Sequence, residues 1–147
     1  MGPLDRSLFQ RIDHIGVIVA DLGEQRRWLT EIFGMPLTRE VSLPDTKLTA
    51  AFFGCGGVDV EMIQIDDPEG RRQRLGEGNR ARIEHIAVVV DDIQAVLEKL
   101  APLGVRTTEP KPRKTGDRLN VWTVAETTGG DKGPSQRPRK RKQRKGP

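Results

Sequence analysis

The chain contains one phrase twice, and each copy carries one of its two histidines. Residues 11–22 read RIDHIGVIVADL and residues 82–93 read RIEHIAVVVDDI. His14 and His85 are 71 positions apart and occupy the same place in the two copies. A repeat of this length indicates two copies of one supersecondary unit, which pack together to bury a common core. The repeat therefore predicts a fold of two similar halves.

Each copy predicts a strand that leads into a helix. The β-branched residues after each histidine, at 15–19 and 86–90, are typical of a strand buried on both faces. Asp21 with Glu24 makes a capping-box pattern at the start of the first helix. Asp92 can cap the second helix in the same way. The two halves therefore begin with the same two elements.

The first half continues with three short β-rich segments, whereas the second half offers only two. The segments PLTREVSL, LTAAFFG and VDVEMIQI complete a βαβββ module over residues 11–66. In residues 82–130, GVRTTEP and RLNVWTV follow the helix, but TTGGDKGPSQ stands where a fourth strand belongs. The sequence therefore predicts an α+β fold of two βαβββ modules in which the last strand is doubtful.

The basic residues of the chain are concentrated at its end. Eight of the 25 lie in the last sixteen positions, which leaves 17 against 21 acidic residues before them, so the net charge of +4 comes from this segment. Residues 131–147 contain no aliphatic or aromatic side chain to bury, and such a segment is predicted to be disordered. We therefore expect one domain over residues 1–130 and a basic tail that could bind polyanions.

The composition also bears on the compartment. The single Cys55 has no second cysteine with which to form an internal disulfide. No apolar run approaches the roughly 18 residues of a membrane span, and the first residues, MGPLDRSLFQ, lack the apolar stretch of a signal peptide. These features predict a cytoplasmic protein without a membrane partner.

The alternation of a strand places the two histidines on a shared surface. His14 lies on the same face of its strand as Gly16 and Ile18, and the second copy repeats this arrangement. A pseudo-two-fold relation between the halves brings the two imidazoles together, and Glu61 on VDVEMIQI could complete a set of two histidines and one carboxylate. Such a set suits a divalent ion: Zn²⁺, Fe²⁺, Co²⁺, Ni²⁺ or Mn²⁺. The alternative is that each histidine is a core residue, but two at equivalent positions favour a metal site.

Four segments together carry a family resemblance. IDHIGVIVADL, IEHIAVVVDDI, VEMIQIDDP and TTGG resemble the vicinal oxygen chelate superfamily, which includes glyoxalases, bleomycin resistance proteins and dioxygenases, over about residues 11–130. Within it, they are most similar to the methylmalonyl-CoA epimerases. The resemblance implies a curved, incomplete barrel-like mixed sheet, a homodimer and a metal held by His14, Glu61 and His85.

The chain departs from the family at the last ligand. The family has a carboxylate on the last strand a few residues beyond the TTGG-like turn, and this count leads to about Pro134, where no Glu or Asp stands. Glu126 lies before the turn and would need a different backbone path to replace it. The other candidate for a second acid/base group, Glu40, is interpreted like Glu126 as a solvated side chain. The departure leaves the fourth ligand and the second base unassigned.

The resemblance implies a metal-dependent isomerase that removes the α-proton of a chelating acyl-CoA such as methylmalonyl-CoA, with Glu61 as a catalytic residue that acts chiefly as a ligand. Arg71, Arg72 or Arg74 could meet the phosphates of coenzyme A, although a solvated helical turn is the favoured interpretation of that segment. Two other classes stay open. One is a metal-free small-molecule binding or resistance protein of the same fold, and the other is a polyanion binder that uses the tail.

Overall fold

The structure is a computed structural model, and it describes residues 8–115 and 117–129. Its first half is a βαβββ module, as predicted. The elements in chain order are β1 (Phe9–Val19), α1 (Leu22–Arg27), β2 (Leu37–Leu43), β3 (Leu48–Cys55) and β4 (Val58–Ile65). A π-helical turn over Trp28–Ile32 extends α1.

The second half begins like the first and then becomes irregular. It contains β5 (Ala81–Val90), α3 (Ile93–Leu100) and a short hairpin of β6 (Arg113–Thr115) and β7 (Arg118–Asn120), and it is reached through α2 (Pro68–Leu75). A single bridge joins Thr107 to Thr123. Within the described residues, β6 and β7 are the last strands and form a separate two-stranded sheet. The predicted α+β fold with an incomplete second module is therefore confirmed, while the tail at 131–147 lies outside the described residues.

No helix in the described part of the chain has both the length and the apolar character that crossing a membrane requires.

The main sheet joins the two halves through the repeated strands. Its order is β2-β3-β4-β1-β5, with β1 parallel to β4 and antiparallel to β5. In the β1–β5 register, His14 pairs with Ala87 and Gly16 pairs with His85, while Ile15 pairs with its own equivalent, Ile86. Because equivalent residues exchange places in these pairs, a local two-fold axis passes between the two strands. The pseudo-symmetry inferred from the repeat is thus present where the two halves meet, between β1 and β5.

Both predicted helix caps are formed. The backbone N–H of Glu24 donates to Oδ1 of Asp21 at 2.9 Å, and that of Ala95 donates to Oδ1 of Asp92 at 3.0 Å. A cap of this kind stabilises a helix by about 1 kcal/mol. Gly34, with a φ of 68°, follows the π-helical turn. The repeated Asp therefore begins each helix, two residues after the preceding strand ends.

The sheet has an apolar core on each face, and the two cores are covered differently. One face carries a cluster that packs against Leu22 of α1 and Leu29 of the π-helical turn, and we call it the α1 face: Val19, Ala51, Phe53 and Met62. The other face is covered in part by Leu75 of α2, and we call it the α2 face: Ile18, Ala50, Phe52, Ile63 and Ile65. His14 shares the α2 face with Ile18, so the candidate site lies on this side.

The prediction that the second repeated strand is buried on both faces is wrong. Ile83, Ile86 and Val88 are 67%, 60% and 47% exposed. Within the described residues, β5 is an edge strand, and Val96 is the only buried residue of α3. The apolar run of β5 is therefore left uncovered because the second half supplies less packing than the first.

Phe53 should be the most costly aromatic side chain to truncate. It is fully buried on the α1 face, and Phe→Ala changes at such sites lower the free energy of unfolding by about 3–5 kcal/mol. Phe33 is 66% exposed and offers a matched control. Urea unfolding should show a large loss for Phe53→Ala and less than about 1 kcal/mol for Phe33→Ala. Equal losses in the two variants would contradict this assignment of the core.

Candidate metal centre

Three side chains from three neighbouring strands meet on the α2 face. They are His14 of β1, Glu61 of β4 and His85 of β5. The Nε2 atoms of the two histidines are 3.1 Å apart, and each lies 3.3 Å from Oε2 of Glu61. These three atoms form a nearly equilateral triangle. The structure thus brings together the three residues that the sequence singled out.

The triangle has the dimensions and the donor atoms of a metal-binding group. Ligands about 2.1 Å from an ion are separated by about 3.0–3.5 Å in octahedral or tetrahedral coordination. Two imidazole nitrogens and one carboxylate oxygen suit Zn²⁺, Fe²⁺, Co²⁺, Ni²⁺ or Mn²⁺. The side chains of His14, Glu61 and His85 are only 19%, 13% and 11% exposed, so the group is sheltered but open to a small ligand. The residues present therefore fit a divalent ion, and no fourth protein ligand joins the group within the described residues.

The outer nitrogen of each histidine faces the acidic residue that precedes it. Nδ1 of His14 lies 3.0 Å from Oδ2 of Asp13, and Nδ1 of His85 lies 3.4 Å from Oε2 of Glu84. Metal-binding histidines commonly donate their second N–H to such a carboxylate. Asp13 and Glu84 were not among the predicted site residues. The signal that could have revealed them is the acid before the histidine in both copies of the repeat.

Asp13 remains a charged acceptor in this arrangement. Burial by itself raises the pKa of Asp13, but the hydrogen bond with His14 and the nearby positive charge of Arg118 outweigh that effect and lower it below its usual value. Arg11 and Arg118 approach Oδ1 of Asp13 to 2.9 and 3.4 Å. The carboxylate that faces His14 is thus held from the other side by two guanidinium groups.

Aromatic side chains support both imidazoles. The ring of Phe52 meets that of His14 edge-on with centroids 5.6 Å apart, and Trp122 meets His85 in the same way at 4.6 Å. The guanidinium of Arg39 lies 3.9 Å from the centroid of Phe52. Each ring at the site therefore has a neighbour that limits its rotation.

Gly16 makes room for the imidazole of His85. A Cβ atom built on Gly16 would lie 2.1 Å from Cε1 of His85, which is far inside van der Waals contact. Ala87, the equivalent residue of the second copy, stands opposite His14 instead. The site is therefore not fully symmetric, and only glycine fits at position 16.

Neither candidate for a second acid/base group joins the three-residue group. Glu40 pairs in register with Ala51 on the α1 face and forms an ion pair with Arg26 at 2.7 Å, so it lies on the opposite side of the sheet. Glu126 lies in a 3₁₀ turn, 4.0 Å from Arg106. The place that the family resemblance assigns to a fourth ligand, near Pro134, lies outside the described residues.

The three arginines considered for coenzyme A phosphates all have partners within the chain. Arg71 donates to main-chain carbonyls at 2.6, 3.1 and 3.3 Å and so ties α2 to the ends of the neighbouring strands. Arg72 pairs with Glu69, and Arg74 pairs with Glu84. These contacts favour the structural interpretation of the α2 segment.

Comparison with known proteins gives consistent results in sequence and in fold. A family model described as the Glyoxalase/Bleomycin resistance protein/Dioxygenase superfamily matches residues 11–130. A probable lactoylglutathione lyase of Vibrio cholerae is 34% identical, over 72% of this chain and 76% of that protein. The uncharacterized protein YqjC of Bacillus subtilis is 24% identical, over 81% of this chain and 86% of its own. The crystal structure of methylmalonyl-CoA epimerase from Mycobacterium tuberculosis has a TM-score of 0.74 at 24% identity and covers 86% of this chain and 87% of that one.

Proposed function

The chain belongs to the Glyoxalase/Bleomycin resistance protein/Dioxygenase superfamily, and on that premise we propose that it is a metal-dependent isomerase that removes the α-proton of a chelating acyl-CoA such as methylmalonyl-CoA. The observation that carries the proposal is the triangle of donor atoms from His14, Glu61 and His85. A metal-free binding pocket needs no such convergence of two imidazoles and a carboxylate. The similarity in fold to a methylmalonyl-CoA epimerase supports the choice of substrate class.

In this proposal the three residues hold one divalent ion. When bound, such an ion acts as a Lewis acid and stabilises the negative charge that develops on carbonyl oxygens as the α-proton leaves. A divalent ion brings two positive charges. Glu61 offsets one of them, and His14 and His85 in their neutral form offset none. The loaded site therefore keeps a net positive charge, which favours an anionic substrate. Glu61 acts chiefly as a ligand. Glu40 is excluded as the proton carrier by its place on the α1 face.

The relative from Vibrio cholerae favours a second candidate reaction. That protein is named a probable lactoylglutathione lyase and shares 34% identity with this chain. Formation of lactoylglutathione from a ketoaldehyde and glutathione also moves a proton on carbon next to a carbonyl, so the same group of residues could serve it.

A homodimer, a cytoplasmic location and polyanion binding by residues 131–147 stay predictions from the sequence.

Loss of the α-proton signal of methylmalonyl-CoA in D₂O, followed by NMR with added Co²⁺ or Mn²⁺, tests the proposal. We expect exchange with the wild type and at least about a hundredfold slower exchange with Glu61→Ala, because a ligand to the catalytic ion is lost. Glu40→Ala is the matched control, since it removes a carboxylate from the other face and should exchange at the wild-type rate.

A parallel assay with methylglyoxal and glutathione separates the two candidates. Lactoylglutathione formation without α-proton exchange would favour the lyase reaction. Activity towards neither substrate, in a wild-type protein that carries its metal, would contradict both. Exchange that is equally fast in a chelator would contradict the metal-dependent mechanism.

A further inference from the structure

The two carboxylates beside the histidines occupy irregular positions in the sheet. In the β1–β5 register, Ile12 and His14 have partners but Asp13 between them has none. On the other strand, Ile83 and His85 have partners while Glu84 has none. Consecutive residues of a regular strand point to opposite faces, and a bulge re-aims them. The register shifts therefore allow each acid to reach the histidine that follows it in the chain.

Each carboxylate contacts at least one arginine from a distant part of the chain. Asp13 contacts Arg11 and also Arg118 of β7, which is 105 positions away. Glu84 pairs with Arg74 of α2. Two separate elements thus support the two carboxylates. The same order of groups, from arginine to carboxylate to imidazole to the triangle, occurs on both sides of the local two-fold axis.

A carboxylate at Nδ1 decides which nitrogen of a neutral imidazole carries the proton. An ionised carboxylate can only accept, so the proton resides on Nδ1 and the lone pair resides on Nε2. Nε2 is the atom that each histidine contributes to the triangle. Without the carboxylate, the imidazole could take the other tautomer and donate from Nε2 to Glu61, which would compete with a metal ion.

We propose that Asp13 and Glu84 are positioning residues that hold His14 and His85 in the Nδ1-protonated tautomer, so that both Nε2 lone pairs face the metal site before any ion arrives. The part that concerns metal affinity rests on the proposed function, but the tautomers belong to the metal-free protein. Because its contact is shorter, at 3.0 Å against 3.4 Å, Asp13 has the larger effect of the two.

The first experiment reads the tautomers directly in the metal-free full chain. Two-dimensional ¹H–¹⁵N NMR of the imidazoles, at a pH where both are neutral, reports the tautomer of each ring. The spectrum is simple to assign because the chain has only two histidines. In the wild type we expect both imidazoles to carry their proton on Nδ1. Asp13→Asn should shift His14 towards the Nε2–H form and leave His85 unchanged, because an amide can donate to Nδ1. Asp45→Asn, on the turn before β3, is the control for the loss of one acid.

The second experiment measures Zn²⁺ affinity by calorimetry. Loss of a carboxylate behind a metal-binding histidine commonly weakens binding by about 10- to 100-fold, and we expect this range for Asp13→Asn and a smaller loss for Glu84→Gln. Asp13→Glu should restore part of the affinity, whereas Asp45→Asn should match the wild type. A purely structural role for Asp13 would lower the free energy of unfolding without changing the tautomer of His14.

The outcomes separate this proposal from the proposed function. Nε2–H on either histidine of the wild type overturns the positioning role for that side, and this measurement needs no variant. Wild-type tautomers and affinity in Asp13→Asn and Glu84→Gln overturn it as well. The expected tautomers in a protein that binds no Zn²⁺ would leave the positioning role in place and contradict the metal-dependent function.

Discussion

Replacing His85 by alanine should abolish the stoichiometric binding of a divalent metal. The wild type should hold about one Zn²⁺ or Co²⁺ per chain, because three donor atoms lie within 3.3 Å of one another on neighbouring strands. The variant keeps only two of them. Its affinity should fall by more than the roughly 10- to 100-fold loss that follows removal of a supporting carboxylate. His14→Ala should behave in the same way, since the two residues are equivalent in the repeat.

Elemental analysis after mild purification and reconstitution, followed by calorimetry, measures this effect. Asp45→Asn is the control, because it removes one carboxylate from the turn before β3 while keeping every member of the triangle. The control should bind as the wild type does. Unchanged binding in His14→Ala and His85→Ala would refute the metal site, and so would a wild-type stoichiometry well below one after reconstitution.

The meeting of the three residues could be predicted because it depends on two simple regularities. The repeat implies that the two histidine-bearing strands are related by symmetry, and period-two alternation places His14 on the same face as Ile18. Alternation also carries Glu61 to the face that it shares with Ile63. Local capping signals at Asp21 and Asp92 predicted where the helices begin. Features that depend on a single strand or on the symmetry of the repeat could therefore be predicted from the sequence.

The surroundings of the site could not be predicted in the same way. Asp13 and Glu84 lie beside the histidines at points where the register shifts, and a shift depends on how two strands 71 positions apart pair with each other. Trp122 contacts His85 from an irregular segment, which has no helical or strand periodicity from which the contact could be predicted. Ile86 is exposed because no other described segment packs over that part of β5. The sequence of β5 alone does not show whether another segment will cover it. These features arise from tertiary contacts between distant segments.

Gly16→Ala should both destabilise the protein and weaken its metal site. The new Cβ would lie 2.1 Å from the imidazole of His85, so either the ring or the strand has to move. Overpacking of this kind costs about 1–3 kcal/mol in the free energy of unfolding, and the displaced Nε2 leaves the triangle. Ala87→Gly, at the equivalent place in the other copy, removes a Cβ instead of adding one and should cost only about 0.5–1 kcal/mol.

A double-mutant cycle shows whether the imidazole is the cause of that cost. The three atoms nearest to the added Cβ all belong to the ring of His85, so Gly16→Ala should be nearly neutral in a His85→Ala background. It could even stabilise that background slightly, because alanine restricts the unfolded chain more than glycine does. Urea unfolding of the four proteins gives the coupling energy, which should approach the full cost of the single Gly16→Ala change. Additive effects would mean that the added methyl group clashes with something other than His85, and the space for this imidazole would then not be the reason for a glycine at position 16.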